Sequence, residues 1–279
     1  MISKAGISNI ITSIFQKIIQ GVDNMNFKQA IVRRPAPSVV KGISDNSLGK
    51  PVYEKALEQH NKYVETLEEC GLDVTILEPD NKYPDSTFVE DPAVLTDKCA
   101  IITNLGAESR KGEQDKIKEV LSKHYQNIEQ IDPPATIEGG DVMQIKDKFY
   151  IGLSNRTNQK GADQFIKKLK KYGYEGIKVP FEGVLHLKTG VTYLGDKTMV
   201  ASEELADHPL FADFEIIEVS PEEKHAANCI RINDFVIIPA GNPKVQRKIE
   251  EAGFNIKTVD ISEFKKIDGG LSCLSLRFQ

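Results

Sequence analysis

The feature that most constrains this chain is a repeat of about 45 residues. Four segments share one pattern, in which a polar residue is followed by a short apolar strand, a polar turn and a second apolar strand. A fifth, shorter segment ends the chain. The leading polar residues are spaced 48, 48, 42 and 45 residues apart, at Glu90, Glu138, His186, Asn228 and Cys273. Such a period predicts supersecondary units that bury their apolar faces only against their neighbours.

Helix-like stretches separate these units and decide between two ring architectures. A propeller of the WD type has a similar period, but it is nearly all-β and has no helix in each repeat. The helical patterns therefore favour an α/β ring; they cover residues 53–70, 108–124, 160–172 and 243–252. The half-unit at 269–278 is predicted to pair with the opening strand at 27–33 and to close the ring.

A closed ring of equivalent units brings equivalent positions together at its axis. The repeat therefore predicts that two glutamates, a histidine and a cysteine meet at one point: Glu90, Glu138, His186 and Cys273. Carboxylates, an imidazole and a thiol in one place are a catalytic constellation. This cluster follows from the periodicity alone.

Composition bounds the partners of the chain. The 279 residues are 40% hydrophobic, and the net charge of −5, with a pI near 5.7, argues against a nucleic-acid partner. No apolar run is long enough for a membrane span. The four cysteines have no zinc-like spacing, which favours free thiols and a cytoplasmic location. The histidines are scattered and no glycine-rich phosphate loop opens a helix, so we expect neither a metal nor a cofactor.

The first 25 residues have apolar positions at intervals of three and four, which predict an amphipathic helix. We expect residues 1–25 to be an N-terminal extension and residues 26–279 to be a single α/β-propeller catalytic domain. The extension could dock on that domain or on a partner chain, or act as a transit peptide, and Met25 could be the physiological start. The oligomeric state is left open, with a homodimer as one option.

Five motifs in order carry a resemblance to a known family. They are Pro84–Asp91, Glu138–Asp141, Asn155–Asn158, Leu185–Lys188 and Gly270–Cys273. Together they resemble the dimethylarginine dimethylaminohydrolases of the guanidine-modifying superfamily, over nearly all of residues 27–279. The resemblance implies a five-bladed α/β-propeller, the pentein fold, and hydrolysis of Nω-methylated arginine to citrulline and methylamine or dimethylamine without a cofactor.

The chemistry of that reaction suits the residue types. A guanidinium carbon is a poor electrophile, so its hydrolysis needs a strong nucleophile, groups that hold the cation and an acid for the departing amine. Cys273 would attack as a thiolate, and His186 would protonate the amine and later activate water. Glu138 would bind the guanidinium and orient His186, while Glu90 and Asp91 would hold its nitrogens through charge-assisted hydrogen bonds.

The resemblance also implies contacts with the amino-acid end of the substrate. Arg110 and Arg156 match positions that hold the α-carboxylate. Asp85 and the backbone carbonyl of Ile267 match positions at the bound amino acid, and the loop at 33–45 matches the family's lid.

Two other functions stay open on the same residues. One is an enzyme of the same fold with a different substrate, such as an arginine deiminase or a hydrolase of another guanidine or ureido compound. The short helical stretch after Arg156 disfavours a deiminase, because deiminases carry an inserted helical domain. The other is a non-catalytic binding protein, which the complete set of Glu138, His186 and Cys273 disfavours.

Overall fold

A computed structural model describes residues 26–45 and 47–279 of the chain. The predicted helix at 1–25 and the alternative start at Met25 lie outside these residues. The described part forms five three-stranded sheets, which we call blades 1 to 5. The strands are Gln29–Arg33 (β1), Asp73–Leu77 (β2), Ala93–Leu95 (β3), Ala100–Ile102 (β4), Ile128–Gln130 (β5), Val142–Ile145 (β6), Lys148–Leu153 (β7), Glu175–Pro180 (β8), Val191–Gly195 (β9), Thr198–Ser202 (β10), Glu215–Val219 (β11), Ile230–Ile232 (β12), Phe235–Pro239 (β13), Asn255–Val259 (β14) and Leu276–Phe278 (β15).

Every blade has the same mixed topology. Blade 1 has the order β15-β1-β2, and blades 2 to 5 take the remaining strands three at a time in chain order. In each blade the middle strand pairs antiparallel with one neighbour and parallel with the other. A parallel pair needs a long crossover, and the helices supply it.

At least one helix fills each of these crossovers, and two short α-helices lie between blades. The α-helices are Tyr53–Glu69 (α1), Gln114–Leu121 (α2), Gln159–Lys171 (α3), Leu187–Gly190 (α4), Glu203–Ala206 (α5), Pro243–Glu251 (α6) and Ser262–Lys265 (α7). Short 3₁₀ helices lie at Pro37–Lys41, Glu108–Arg110, Gly139–Asp141, Pro209–Phe211, Pro221–Ala227 and Ser272–Leu274. The stretch predicted as one helix at 108–124 is broken at Gly112, whose φ of +100° is incompatible with a continuous helix.

The ring closes as predicted. The last strand, β15, pairs antiparallel with the first, β1, with Gln29 opposite Phe278 and Ile31 opposite Leu276. The two ends of the described chain therefore complete one blade. The prediction of a five-bladed α/β-propeller is confirmed.

The hydrophobic core is divided into five clusters, and each lies between two neighbouring blades. Four of them include a long helix, for example Phe165 and Leu169 of α3 between blades 2 and 3. Between blades 3 and 4 the filler is Leu205 and Phe211 from two short helices. This shorter crossover explains why the repeat contracts to 42 residues between His186 and Asn228. None of the helices formed by residues 26–45 and 47–279 is long and apolar enough to cross a lipid bilayer.

Candidate active site

One cavity collects eight of the nine predicted site residues. Its walls also include residues 43 and 45 of the predicted lid and residues 268 and 269 before the last 3₁₀ helix. The predicted residues that line it are Asp85, Asp91, Arg110, Glu138, Arg156, His186, Ile267 and Cys273. They come from different blades, so the ring closure is what brings them together.

Glu138 and His186 form a buried pair at the wall of this cavity. The Nε2 atom of His186 lies 2.8 Å from Oε2 of Glu138, and the other carboxylate oxygen accepts hydrogen bonds from the backbone N–H groups of Gly106, at 2.9 Å, and Ala107, at 3.3 Å. Burial alone would raise the pKa of Glu138, but its bond to His186 and the nearby arginines lower it to about 2. The carboxylate is therefore ionised and acts only as an acceptor, so Nε2 carries the proton.

The charge state of His186 follows from its acidic surroundings. Burial lowers its pKa, but Asp141, Glu138 and Asp91 together raise it to about 9. The resting imidazole is thus protonated at neutral pH. Among the described residues nothing hydrogen-bonds to Nδ1, so this nitrogen is the one left to exchange a proton with a ligand.

The sequence Glu138-Gly139-Gly140-Asp141 makes this pairing sterically possible. A side chain at Gly139 would start 2.0 Å from the carbonyl oxygen of Glu90, and one at Gly140 would start 2.8 Å from Nδ1 of His186. Both distances are shorter than any real Cβ contact, so only glycine lets the blades and the imidazole approach.

Asp141 anchors the same region from behind. Its Oδ1 accepts from the N–H of Leu187 at 3.0 Å, and its Oδ2 accepts from the hydroxyls of Ser154 and Thr157, each at 2.6 Å. Thr157 in turn accepts from the N–H of Glu138 at 3.1 Å. Asp141 therefore fixes the backbone on both sides of the Glu138–His186 pair.

Cys273 is the middle residue of the last 3₁₀ helix, Ser272–Leu274, and is only 9% exposed. The backbone N–H of Gly270 points at its sulfur, with an N···S distance of 3.4 Å. Burial and the carboxylates of Glu90 and Asp91 raise the pKa of the thiol to about 12, against the opposing effects of Gly270 and Lys188. Without a ligand the cysteine is neutral, and an added cation is needed to favour the thiolate.

Asp91 is held ready by two donors. Its Oδ1 accepts from the N–H of Gly140 at 3.0 Å, and its Oδ2 accepts from Nη1 of Arg110 at 2.6 Å. Both donors fix the direction of the carboxylate, which also lines the cavity. Asp91, Glu138 and His186 each offer an atom within 4.8 Å of the others, and they are the residues here that could hold a metal ion.

The two predicted carboxylate-binding arginines differ in their surroundings. Arg110 is 5% exposed and donates through Nε and Nη2 to Glu113, through Nη1 to Asp91 and through Nη2 to the carbonyl of Phe88. Four of its five N–H groups are thus engaged, so at most one is left for a ligand. Within residues 26–45 and 47–279, the guanidinium of Arg156 makes no hydrogen bond or ion pair, and it also lines the cavity.

Glu113 was missed by the sequence reasoning. It is buried and accepts hydrogen bonds from Nε and Nη2 of Arg110, whereas Asp91 accepts from Nη1. The shortest contact between Glu113 and Arg110 is 2.8 Å. Burial, reinforced by Asp85 and Asp91, raises the pKa of Glu113 to about 7. The three-residue spacing between Arg110 and Glu113 was the sequence signal that could have indicated this ion pair. The turn at Gly112, which brings the two side chains together, was not predicted.

Glu90 lies apart from the other predicted site residues. Its carboxylate was expected beside Asp91 on the guanidinium, but Glu90 does not line this cavity. It lines a second cavity instead, where Oε1 accepts from Lys188 at 2.6 Å and Arg277 at 3.2 Å and Oε2 accepts from Ser272 at 2.7 Å. Both residues lie in the turn before β3, and the local course of this turn directs Glu90 to the second cavity and Asp91 to the first.

The lid and the remaining two residues meet at the cavity mouth. The N–H of Ile43 donates to Oδ1 of Asp85 at 3.0 Å, and that of Asp45 donates to Asp268 at 2.7 Å. A side chain at Gly42 would start 3.0 Å from both Asp85 and Ile267. The part of the predicted lid that reaches the cavity is therefore 43–45, after the short 3₁₀ helix.

Comparison with known proteins identifies the family and the fold of the chain. The family model described as "N,N dimethylarginine dimethylhydrolase, eukaryotic" matches residues 43–275. An N(G),N(G)-dimethylarginine dimethylaminohydrolase of Pseudomonas aeruginosa is 51% identical over 90% of this chain and 100% of its own. A crystal structure of the Pseudomonas DDAH, a cysteine-to-serine mutant with citrulline, superposes with a TM-score of 0.90 at 50% identity, over 91% of this chain and all of that one.

A second solved structure agrees equally well. It is a dimethylarginine dimethylaminohydrolase with a histidine-to-glycine substitution, crystallised as an adduct with S-methyl-L-thiocitrulline. Its TM-score is 0.89 at 51% identity, and the match covers 90% of this chain and all of the other. The chain belongs to the N,N-dimethylarginine dimethylhydrolase family.

Proposed function

We propose that this protein hydrolyses Nω-methylated arginines, asymmetric dimethylarginine and monomethylarginine, to citrulline and dimethylamine or methylamine. The observation that carries the proposal is one cavity with a buried thiol, a protonated histidine and carboxylates suited to a guanidinium. The relatives named above, one with citrulline and one with a thiocitrulline adduct, support the same reaction.

Binding of the substrate supplies the missing positive charge. The guanidinium would pair with the carboxylates of Asp91 and Glu138, which line the cavity and are fixed by backbone donors. A cation beside the sulfur stabilises the thiolate by direct attraction, so binding lowers the pKa of Cys273 from its resting value of about 12. Because His186 is already protonated, the thiol proton passes to solvent as the cation binds, and the nucleophile is formed only when a substrate is present.

The covalent step then divides the hydrolysis in two. The Cys273 sulfur bonds to the guanidinium carbon, and the bond from that carbon to the methylated nitrogen breaks as this nitrogen takes a proton from His186. The products of this step are the free amine and an S-alkylthiouronium on Cys273.

Water completes the turnover. The now neutral His186 takes a proton from a water molecule, whose oxygen bonds to the thiouronium carbon. The carbon–sulfur bond then breaks, the hydroxyl proton of the adduct passes to the departing sulfur, and the urea group of citrulline remains beside the neutral Cys273 thiol. His186 ends protonated again, beside the ionised Glu138, as it began.

The amino-acid end of the substrate would lie toward the lid. Arg156, whose guanidinium has no partner within the described chain, would bind the α-carboxylate, with the remaining N–H of Arg110 as a second donor. Asp85 and the carbonyl of Ile267 would receive the α-amino group. The charges are complementary to a zwitterionic amino acid.

The test is a citrulline assay with asymmetric dimethylarginine, monomethylarginine and arginine in parallel, for the wild type and Cys273→Ser. We expect citrulline from the two methylated substrates only, and none from the variant. Citrulline from arginine at comparable kcat/KM would move the assignment to a deiminase. No citrulline from any of the three would refute the proposal.

Three finer proposals accompany the function. Residues 26–279 act as one catalytic domain, the protein works in the cytoplasm, and a homodimer is its proposed assembly. The cytoplasmic proposal is supported by four free cysteines, all buried, which suit a reducing compartment. Size-exclusion chromatography with light scattering tests the dimer, and a single cooperative unfolding transition tests the one-domain proposal.

A further inference from the structure

The repeat position at Asn228 lies outside the cavity, yet its side chain holds the segment before Cys273. Asn228 is 2% exposed and makes three hydrogen bonds. Its Nδ2 donates to the carbonyl of Lys188 at 2.8 Å and to the hydroxyl of Ser272 at 3.0 Å. Its Oδ1 accepts from the N–H of Ser272 at 2.9 Å. Three of the four hydrogen bonds that one amide can make therefore connect Lys188, before blade 4, to the residue that precedes the thiol.

Ser272 links the side chain of Asn228 to Glu90, which precedes the first strand of blade 2. Its hydroxyl accepts from Asn228, so its own proton is donated to Oε2 of Glu90, at 2.7 Å. The backbone N–H of Glu90 donates to the carbonyl of Cys273 at 3.2 Å. The peptide of the nucleophile and the one before it are thus fixed from two sides.

The same amide also shapes the backbone that faces the sulfur. A side chain at Gly270 would start 2.4 Å from the side chain of Asn228, so the glycine packs directly on the amide. The N–H of this glycine is the donor that points at the sulfur of Cys273. A separate hydrogen bond, between His225 and the carbonyl of Gly269 at 3.0 Å, also contacts this segment.

We infer that Asn228 is a positioning residue for the nucleophile: it locks Ser272 and packs against Gly270, so that the Gly270 N–H stays on the Cys273 sulfur and stabilises the thiolate. The inference rests on Cys273 being the nucleophile of the proposed function. A hydrogen bond to a charged group contributes about 1.5–3 kcal/mol. Loss of the alignment should therefore reduce the thiolate fraction about tenfold or more at a given pH.

The test measures the thiol directly, without turnover. Wild type and Asn228→Ala are treated with iodoacetamide between pH 7 and 10, and alkylation of Cys273 is followed by peptide mass spectrometry. We expect the variant to react about tenfold more slowly at each pH, a deficit recovered by raising the pH by about one unit. The kcat for a methylated arginine should fall by a similar factor, with KM nearly unchanged.

A matched control separates positioning from general loss of stability. Asn233 makes a comparable set of bonds, to both backbone groups of Phe27 and to the carbonyl of Cys70, and lines neither cavity. Asn233→Ala should lower the melting temperature and leave the alkylation rate of Cys273 unchanged. Ser272→Ala, which removes only the hydroxyl link, should slow alkylation less than Asn228→Ala, and the double variant should be less than additive.

Two results would overturn the inference: alkylation of Asn228→Ala at the wild-type rate, or a fall in kcat without slower alkylation. If Asn228→Ala does not fold, Asn228→Asp, which keeps the shape and the acceptor but loses both donated bonds, is judged by the same criteria. Failure of the wild type to hydrolyse methylarginines would refute the proposed function, and the alkylation rates would still decide the role of Asn228.

Discussion

The two cavities on either side of the nucleophile segment use charge in opposite ways. In the second cavity Glu90 is bonded to Lys188 and Arg277, so its negative charge is neutralised by cations of the protein itself. In the first cavity Asp91 and Glu138 are also paired, with Arg110 and with His186, but each keeps one carboxylate oxygen that is bonded only to backbone N–H groups. A cation-binding site therefore differs from a structural ion pair, because its carboxylates keep oxygen atoms that are not bonded to a cation of the protein.

Adjacent residues supply the two sides. Glu90 and Asp91, and likewise Ser272 and Cys273, are neighbours in sequence but line different cavities. One member of each pair supports the fold, and the other meets the ligand. Substituting the first member of a pair should therefore lower the stability of the fold, and substituting the second should lower the catalytic activity.

The largest expected effect is on the sulfur. Cys273→Ser should lower kcat by at least about 10³-fold, because a hydroxyl with a much higher pKa replaces the thiol as nucleophile. The melting temperature should stay within a few degrees of wild type, since the side chain volume barely changes. Turnover and thermal unfolding on the same preparation check this, and near-normal activity would exclude the covalent mechanism.

The next effect contrasts the two neighbouring acids. Asp91→Asn should lower kcat/KM about 10–100-fold, the loss expected for a charge-assisted hydrogen bond to the substrate. Glu90→Gln should instead cost about 1–3 kcal/mol of unfolding free energy, because it leaves two partly buried cations with one partner fewer. Denaturant unfolding and steady-state kinetics on both variants test the contrast, which fails if the two proteins show the same profile.

A smaller effect concerns the proton donor. His186 must be protonated to release the amine, so activity should fall as the pH rises through its pKa of about 9. Glu138→Gln removes the bond and charge that raise this pKa, and the basic limb should move down by about 1–2 pH units. The measurement is the profile of kcat against pH for wild type and Glu138→Gln. If the basic limb does not move, the fall in activity at high pH belongs to a group other than His186.

The smallest effect distinguishes the two arginines. Arg156→Gln should raise KM about tenfold with little change in kcat, because it removes one contact to the substrate carboxylate. Arg110→Gln should mainly destabilise the fold, since it leaves Glu113 and Asp91 buried without their cation. Equal changes of KM and stability in both variants would contradict this division.

Much of the fold was predictable because the repeat appears in the sequence as a recurring pattern of apolar residues, which are buried in the structure. The hairpins, the crossover helices and the closure of β15 on β1 follow from apolar runs that recur every 42–48 residues. The outer strands β2, β5, β8, β11 and β14 were not predicted, since charged or polar residues interrupt their apolar pattern. As edge strands they are half-exposed, and the alternation of burial is weak.

The site was predictable to within one residue, which is not always enough. Periodicity placed Glu138, His186 and Cys273 correctly on the cavity, but it also chose Glu90, whose neighbour faces the cavity instead. A repeat fixes the position along the chain, whereas the direction of a side chain depends on the local turn. The partner of Arg110, Glu113, depends on the turn at Gly112, for which the sequence offers no periodic signal.

The central claim is that Cys273 is neutral at rest and becomes reactive when a cation binds beside it. The most direct measurement compares two alkylating agents of the same size, 2-chloroacetamidine, which is cationic, and 2-chloroacetamide, which is neutral. At pH 7 the amidine should label Cys273 at least about 100-fold faster, and Asp91→Asn should abolish most of this advantage. Equal rates for the two reagents, or an advantage that survives in Asp91→Asn, would contradict the account.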